Sequence, residues 1–306
     1  MEHVAPHSKS TYWIGVMALL LSAILTAGSQ VYYGNRVQAI HPFLFTGISF
    51  FITAFYFHWF AQRQKISYRW GKAKYPLLKL NLASMLTFMG FYFALKYIEP
   101  AIVSSLEMGI GPLFVVLIAL SQRQIVKRET LIIALGTLMT TMILIYAVFT
   151  GQSAVAMQFD GKMLLGILAS ISCGLGAVLC TIYSKQLSTI GWTSSMILSK
   201  RFYGIILLSF IFTYDLIVDY MAENIGWILV ITLTGVLIPM YLLQKGIQYC
   251  EPFLVMMSLS FIPVFTFFLQ AFDPRLEWST LTLLGVLLLF ALGSVSVIAE
   301  RKKQKC

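Results

Sequence analysis

Ten runs of mainly apolar residues, at 12–33, 43–61, 77–98, 100–120, 130–149, 163–184, 195–216, 227–248, 253–272 and 279–298, dominate the 306-residue chain. A helix needs about 20 such residues to cross the hydrocarbon core of a bilayer, and each run is about that long. Lipid offers no partner to an open backbone, so spans are helices or closed barrels, and barrel strands are about half this length. The expectation is an all-α membrane protein of ten transmembrane helices. Composition agrees: 58% of residues are hydrophobic and 11% charged, against about 45–50% and about 25% in soluble domains. The net charge of +10 does not point to nucleic acid, because the basic residues collect between the apolar runs. The first run could pass for the core of a signal peptide. Its apolar pattern continues through Val31–Tyr33, however, with only Lys9 as firm positive charge before it, so it reads as a retained span.

Lys and Arg near the span ends set the orientation. Alternate segments give one side Lys9, Arg63, Lys65, Arg69, Lys72, Lys74, Arg123, Lys127, Arg128, Lys185 and the tail Arg301-Lys302-Lys303 with Lys305. The other side holds Arg36, Lys96, Lys162 and Arg275, offset by acidic residues such as Asp160, Asp219 and Glu277. Both termini are therefore expected in the cytoplasm, which requires an even number of spans.

A second pattern lies beneath the first. Shifted by 152 residues, Tyr97, Glu99, Pro100 and Val103 fall on Tyr249, Glu251, Pro252 and Val255, and spans one to five overlay spans six to ten, with a three-residue slip before the last. The expected layout is a cytoplasmic segment 1–11, a first repeat 12–149, an external linker 150–162, a second repeat 163–298 and a basic tail 299–306. Five is odd, so the second repeat enters the membrane upside down. Inverted halves with a site at their midplane interface are an architecture of alternating-access transporters.

The stretches "ALKYIEPAIVSSLEMGIGPLFVVL" and "GIQYCEPFLVMMSLSFIPVFTFFL", with ten spans in two five-helix halves, resemble the drug/metabolite transporter superfamily, EamA-type, over essentially the full chain. The resemblance implies a secondary active transporter in a bacterial inner membrane, with no cofactor and either a monomeric or a homodimeric state. It favours export of a small polar, amino-acid-like or amphipathic compound, with protons as a candidate coupling ion. An importer or uncoupled facilitator of a vitamin, nucleotide precursor or metallophore is the alternative, followed by a membrane-embedded enzyme or a non-transporting sensor. Relatives often carry an arginine in the second helix of each half. Arg201 fits, whereas its mate under the shift is Ser49.

Glu107 lies seven residues into span four, about 10 Å below its end. A carboxylate at that depth needs water, a partner or a proton. It therefore reads as a binding group for a cationic or amine-bearing substrate, or as a proton carrier; the plainer reading is a protonated structural glutamate. Ser104, Glu107 and Gly111 share a helical face, and Gly109, Gly111 and Pro112 are expected to loosen the helix. Weaker polar faces include Asn81, Ser84, Phe88 and Tyr92 in span three and Tyr241, Gln244 and Gln248 after a kink at Pro239. Ser22, Thr26, Ser29 and Tyr33 line up in span one with Gln30 nearby, and Ser258 and Ser260 lie in span nine. The candidate substrate- and proton-binding set is Glu107, Ser104, Tyr92, Asn81, Tyr241, Gln244, Ser258, Gln30 and Arg201. For Arg201 the plain expectation is snorkelling to the cytoplasmic interface, and the sharper one is pairing with an anionic substrate group.

Trp13, Trp59, Trp192 and Trp227 read as interfacial anchors. The cysteines, including Cys173 and Cys180 on one helix face, show no metal or redox spacing and read as small buried hydrophobes. GxxxxGK, HExxH and GxSxG are all absent, so nothing points to nucleotide hydrolysis, a zinc protease or that class of hydrolase.

Overall fold

The computed structural model describes residues 9–36, 41–63, 70–154, 161–216, 225–273 and 276–303. The expected start of the chain, most of the 150–162 linker and the end of the basic tail lie outside them. The described residues contain helices and no strand. We label the helical segments α1 (Lys9–Arg36), α2 (Pro42–Gln62), α3 (Trp70–Ala94), α4 (Pro100–Ser121), α5 (Arg128–Phe149), α6 (Gly161–Thr189), α7 (Ser194–Leu216), α8 (Ile225–Tyr249), α9 (Pro252–Gln270) and α10 (Thr280–Lys303). The first nine contain stretches long and apolar enough to cross a membrane, and α10 carries an apolar segment over Thr280–Ser296. The protein is an all-α, multi-pass membrane protein.

Proline positions the helix starts. Pro42, Pro100 and Pro252 each open a helix after an extended residue, His41, Glu99 or Glu251. The first turn does not need the N–H that proline lacks, and proline holds its predecessor out of the helical region. Gly151 and Gly191, with φ of +68° and +92°, turn the chain after α5 and α6, a conformation glycine adopts without a Cβ clash.

Several helices differ from the expected runs. α3 starts at Trp70 and ends at Ala94, leaving Leu95–Ile98 as a turn before Glu99-Pro100. Its basic first turns lengthen the helix beyond the apolar run. α4 is continuous from Pro100 to Ser121, so Gly109, Gly111 and Pro112 do not break it. The two glycines serve packing: a Cβ at Gly109 would collide with Thr141 Oγ1, and one at Gly111 with Met256 Cε. The interruptions lie instead in α7, between Ser194–Lys200 and Tyr203–Thr213, and in α9, between Pro252–Leu259 and Ile262–Gln270. α8 carries a π-helical turn over Thr232–Leu237, just before the expected kink at Pro239.

Small residues set the close crossings, as is usual between membrane helices. A Cβ on Gly176 would meet Thr87 N at 2.8 Å and Ala83 O at 3.0 Å, which fixes α6 against α3. α10 approaches α5 where Gly285 faces Leu144. Large apolar side chains such as Leu78, Leu82, Met139 and Leu207 are exposed, as lipid-facing surfaces require. Trp13, Trp59 and Trp227 are also partly exposed, but Trp192 is buried edge-on against Trp70 and anchors the core instead of the interface.

Candidate functional site: a charged cavity inside the bundle

Eight helices, α1–α4 and α6–α9, line one cavity of about 90 Å³, inside about 860 Å³ of space between atoms that includes the solvent at its mouth. α5 and α10 take no part in it. The wall is mostly apolar, with Phe50, Phe88, Phe91, Met240 and Leu259 among its residues, and its two charged side chains are Glu107 and Arg201.

Glu107 is 6% exposed. The Cys173 thiol lies in hydrogen-bonding position against its carboxyl group, and Tyr92 is within electrostatic reach. Cys173 comes this close because Gly174 lets α6 touch α4: a Cβ there would meet the Glu107 carbonyl oxygen at 2.8 Å. Tyr92 packs edge-on to Tyr33, Phe45 and Phe91. The carboxylate is therefore held by an aromatic wall and one weak donor, and no cation pairs with it among the described residues.

Arg201 does not snorkel. It is 2% exposed and occupies the break in α7. Its Nε donates to Ser84 Oγ at 2.9 Å, and its guanidinium lies 5.5 Å from the Phe88 ring centre and 5.6 Å from that of Phe202. Nη1 is enclosed without a hydrogen-bond partner. Ser84 Oγ is also 3.4 Å from Cys180 Sγ, another cavity residue.

The remaining expected residues divide by role. Gln30 lines the cavity, and its Oε1 accepts from Thr266 at 3.1 Å and lies 2.5 Å from the Ser104 hydroxyl, which joins α1, α4 and α9. Ser104 is fully buried behind Gln30, one turn before Glu107, and does not face the cavity. Asn81 also lies outside it. Its Nδ2 donates to Leu77 O and Lys200 O, and its Oδ1 accepts from the Gly204 N–H at 3.1 Å. It supplies bonds that the broken ladder of α7 lacks, and so holds Arg201 in register. Tyr241 stacks on Phe57 at 5.8 Å without lining the cavity. Gln244 and Ser258 are fully buried, and their side-chain polar atoms have no hydrogen-bond partner. Sequence reasoning passed over Thr87, Phe50, Cys173 and Cys180. Only the seven-residue spacing of the two cysteines hinted at a shared face.

The two Glu-Pro turns differ. Glu251 is exposed, whereas Glu99 is 1% exposed and accepts hydrogen bonds from the Ala154 N–H and from Gln270 Nε2. It thereby ties the α3–α4 turn to the segment after α5 and to the end of α9. Burial pushes its carboxyl up to about 7, against those bonds.

No protein-family model matches this chain, and no curated protein does. Among solved structures, a chain described only as "Crystal structure of protein" is similar with a TM-score of 0.67 and 18% identity, over 97% of this chain and 99% of its own. At that identity the likeness establishes the fold alone: a crystallised protein shares this arrangement of helices.

Proposed function

We propose that the protein is a secondary active transporter of the drug/metabolite type, moving a small polar or amphipathic metabolite through the central cavity by alternating access. The observation that carries this reading is the cavity itself: two buried ionisable side chains, unpaired with each other, in a wall built from eight membrane helices. Desolvated charges cost several kcal/mol unless they are compensated, and intramembrane ionisable residues facing a cavity mark substrate or ion pathways.

Helix pairing supports two related halves. α3 packs on α6 as α8 packs on α1; α4 meets α6 and α5 as α9 meets α1 and α10. α2 packs with α7, and α5 with α10. Those are the pairings expected when the 152-residue shift exchanges two inverted repeats, and an interface site is what such a design uses. On this reading both termini are cytoplasmic, the membrane is a bacterial inner membrane, and export of an amino-acid-like compound is the favoured direction. Glu107 is the principal ionisable group, with Tyr92, Gln30 and Arg201 as further cavity contacts.

The test is uptake of a metabolite panel by reconstituted vesicles, with and without an imposed pH gradient, for wild type and Glu107→Gln. Flux that responds to the gradient in wild type and is lost or uncoupled in a folded Glu107→Gln protein is the expected result. Absence of protein-dependent flux across the panel rejects transport, and unchanged pH-dependent flux in the variant removes Glu107 from the mechanism.

A further inference from the structure

The cavity is bipolar, and its basic end is built more completely than its acidic end. Arg201 is locked from three sides: Ser84 Oγ accepts from Nε, and the Phe88 and Phe202 rings flank the guanidinium. Asn81 fixes the backbone beneath it through Lys200 O and the Gly204 N–H. What this scaffold leaves undone is Nη1, which is enclosed and unpartnered in a side chain 98% removed from solvent and lining the cavity. A guanidinium is charged at every accessible pH, so it cannot relieve its burial by losing a proton as a carboxyl group can by gaining one. The neutral oxygen and the aromatic faces beside it orient it without neutralising it. Glu107 does not neutralise it either, since no ion pair joins the two.

Along α3, the residue beneath Arg201 is Phe88 and the one within electrostatic reach of Glu107 is Tyr92, one helical turn further on. The two groups form no ion pair, and Phe50, Phe88, Phe91 and Met108 supply apolar wall in the same cavity.

We propose that Arg201, positioned by Ser84, is the specificity-determining residue of the cavity and forms a subsite for the carboxylate head of an amphipathic organic acid whose apolar body lies along Phe50, Phe88 and Phe91. Resting on the transport reading, this narrows the cargo to anions and zwitterions that present a carboxylate. A purely cationic amphiphile is disfavoured. A planar carboxylate suits the outer edge of a guanidinium, where two N–H groups point the same way.

The experiment uses the full chain in lipid nanodiscs, with binding read by calorimetry and by thermal midpoint. The probes share one body: 3-phenylpropanoate, 3-phenylpropanamide and 3-phenylpropylamine. The acid should bind and raise the midpoint, while the amide and amine bind at least tenfold more weakly. Arg201→Gln should weaken the acid by about thirtyfold or more, the range for truncating one partner of a buried charge pair. Arg201→Lys should recover part of that loss, and Ser84→Ala should weaken the acid severalfold while leaving the fold intact. The comparison of the three probes on wild type stands even where Arg201→Gln fails to fold. Equal binding of acid and amide, no binding of the acid, or chloride at millimolar concentration displacing it fully as the preferred anion would each overturn the proposal. An acid held through Arg201 but never moved by vesicles sinks the transport reading alone. Cargo moved equally well as its amide sinks the carboxylate subsite alone.

Discussion

Replacing Gly176 with alanine should push α3 away from α6 and destabilise the bundle at the cavity wall. The added methyl would sit 2.5 Å from Thr87 Oγ1, 2.8 Å from Thr87 N and 3.0 Å from Ala83 O. The hydroxyl can rotate, but the two backbone atoms cannot, so relief requires a rigid shift of one helix. Overpacking of this kind costs about 1–3 kcal/mol, and the backbone contacts argue for the upper half of that range. Alanine returns about 1 kcal/mol of helix propensity, leaving a net loss of about 1–2 kcal/mol. For a chain of this size that lowers the thermal midpoint by about 2–6 °C. Gly71, in the first turn of α3, is the control: a methyl group there would have nothing within 4 Å, and Gly71→Ala should stabilise by up to about 1 kcal/mol. Both variants would be followed by thermal unfolding in the same nanodiscs. A Gly176→Ala protein that melts with or above wild type would refute the reasoning, because it would mean that the α3–α6 crossing is not held at backbone contact.

Asn81→Ala strips two hydrogen bonds from the α7 break and one to Leu77 O in its own helix, and should cost about 2–4 kcal/mol, with faster amide exchange at Gly204 than elsewhere in α7. Asn81→Asp, which keeps the acceptor for the Gly204 N–H but loses the donors, should remain destabilised. For Glu99, the folded carboxyl is raised from 4.5 to about 7 by burial, so the folded state binds the extra proton. Its contribution to stability is full below about 4.5 and is lost as pH rises through 7, by about 3 kcal/mol at most. Glu99→Gln should flatten the midpoint-versus-pH curve across that window, and a wild-type curve already flat there would contradict the burial of this group. Cys250, buried with its thiol pushed up to about 11, should resist maleimide at pH 7.5 in intact protein and react after denaturation.

The architecture was legible because hydropathy reports burial in lipid directly. The run of nine or ten apolar helices and the helix starts after the two Glu-Pro turns follow from run length and proline chemistry. Breaks in helices were less readable. Gly109, Gly111 and Pro112 suggested a weak point, yet tight neighbours on α5 and α9 hold α4 straight, whereas Lys200-Arg201-Phe202 carries no glycine or proline and interrupts α7. Arg201 looked like an interfacial residue because its neighbours in sequence are polar. Only the approach of Ser84 and Phe88 from α3, more than a hundred positions away, makes it a cavity residue. Asn81 shows the reverse: a polar residue on the apparent cavity face is used up by backbone groups of another helix. Trp192 near a span end was equally misleading, since the proximity of Trp70 cannot be seen along the chain.

Among the described residues, the helix interruptions all fall on one side of the chain's midpoint: the break at Arg201-Phe202, the π turn at Thr232–Leu237 and the break at Ser260-Phe261. α2, α3 and α4, which the 152-residue shift pairs with them, run unbroken. A rod that has already surrendered ladder bonds bends at little extra cost, while an intact one resists. α2–α4 are thus the stiffer set and α7–α9 the more pliable one, so a bending load shared between them would be taken up mostly by the second.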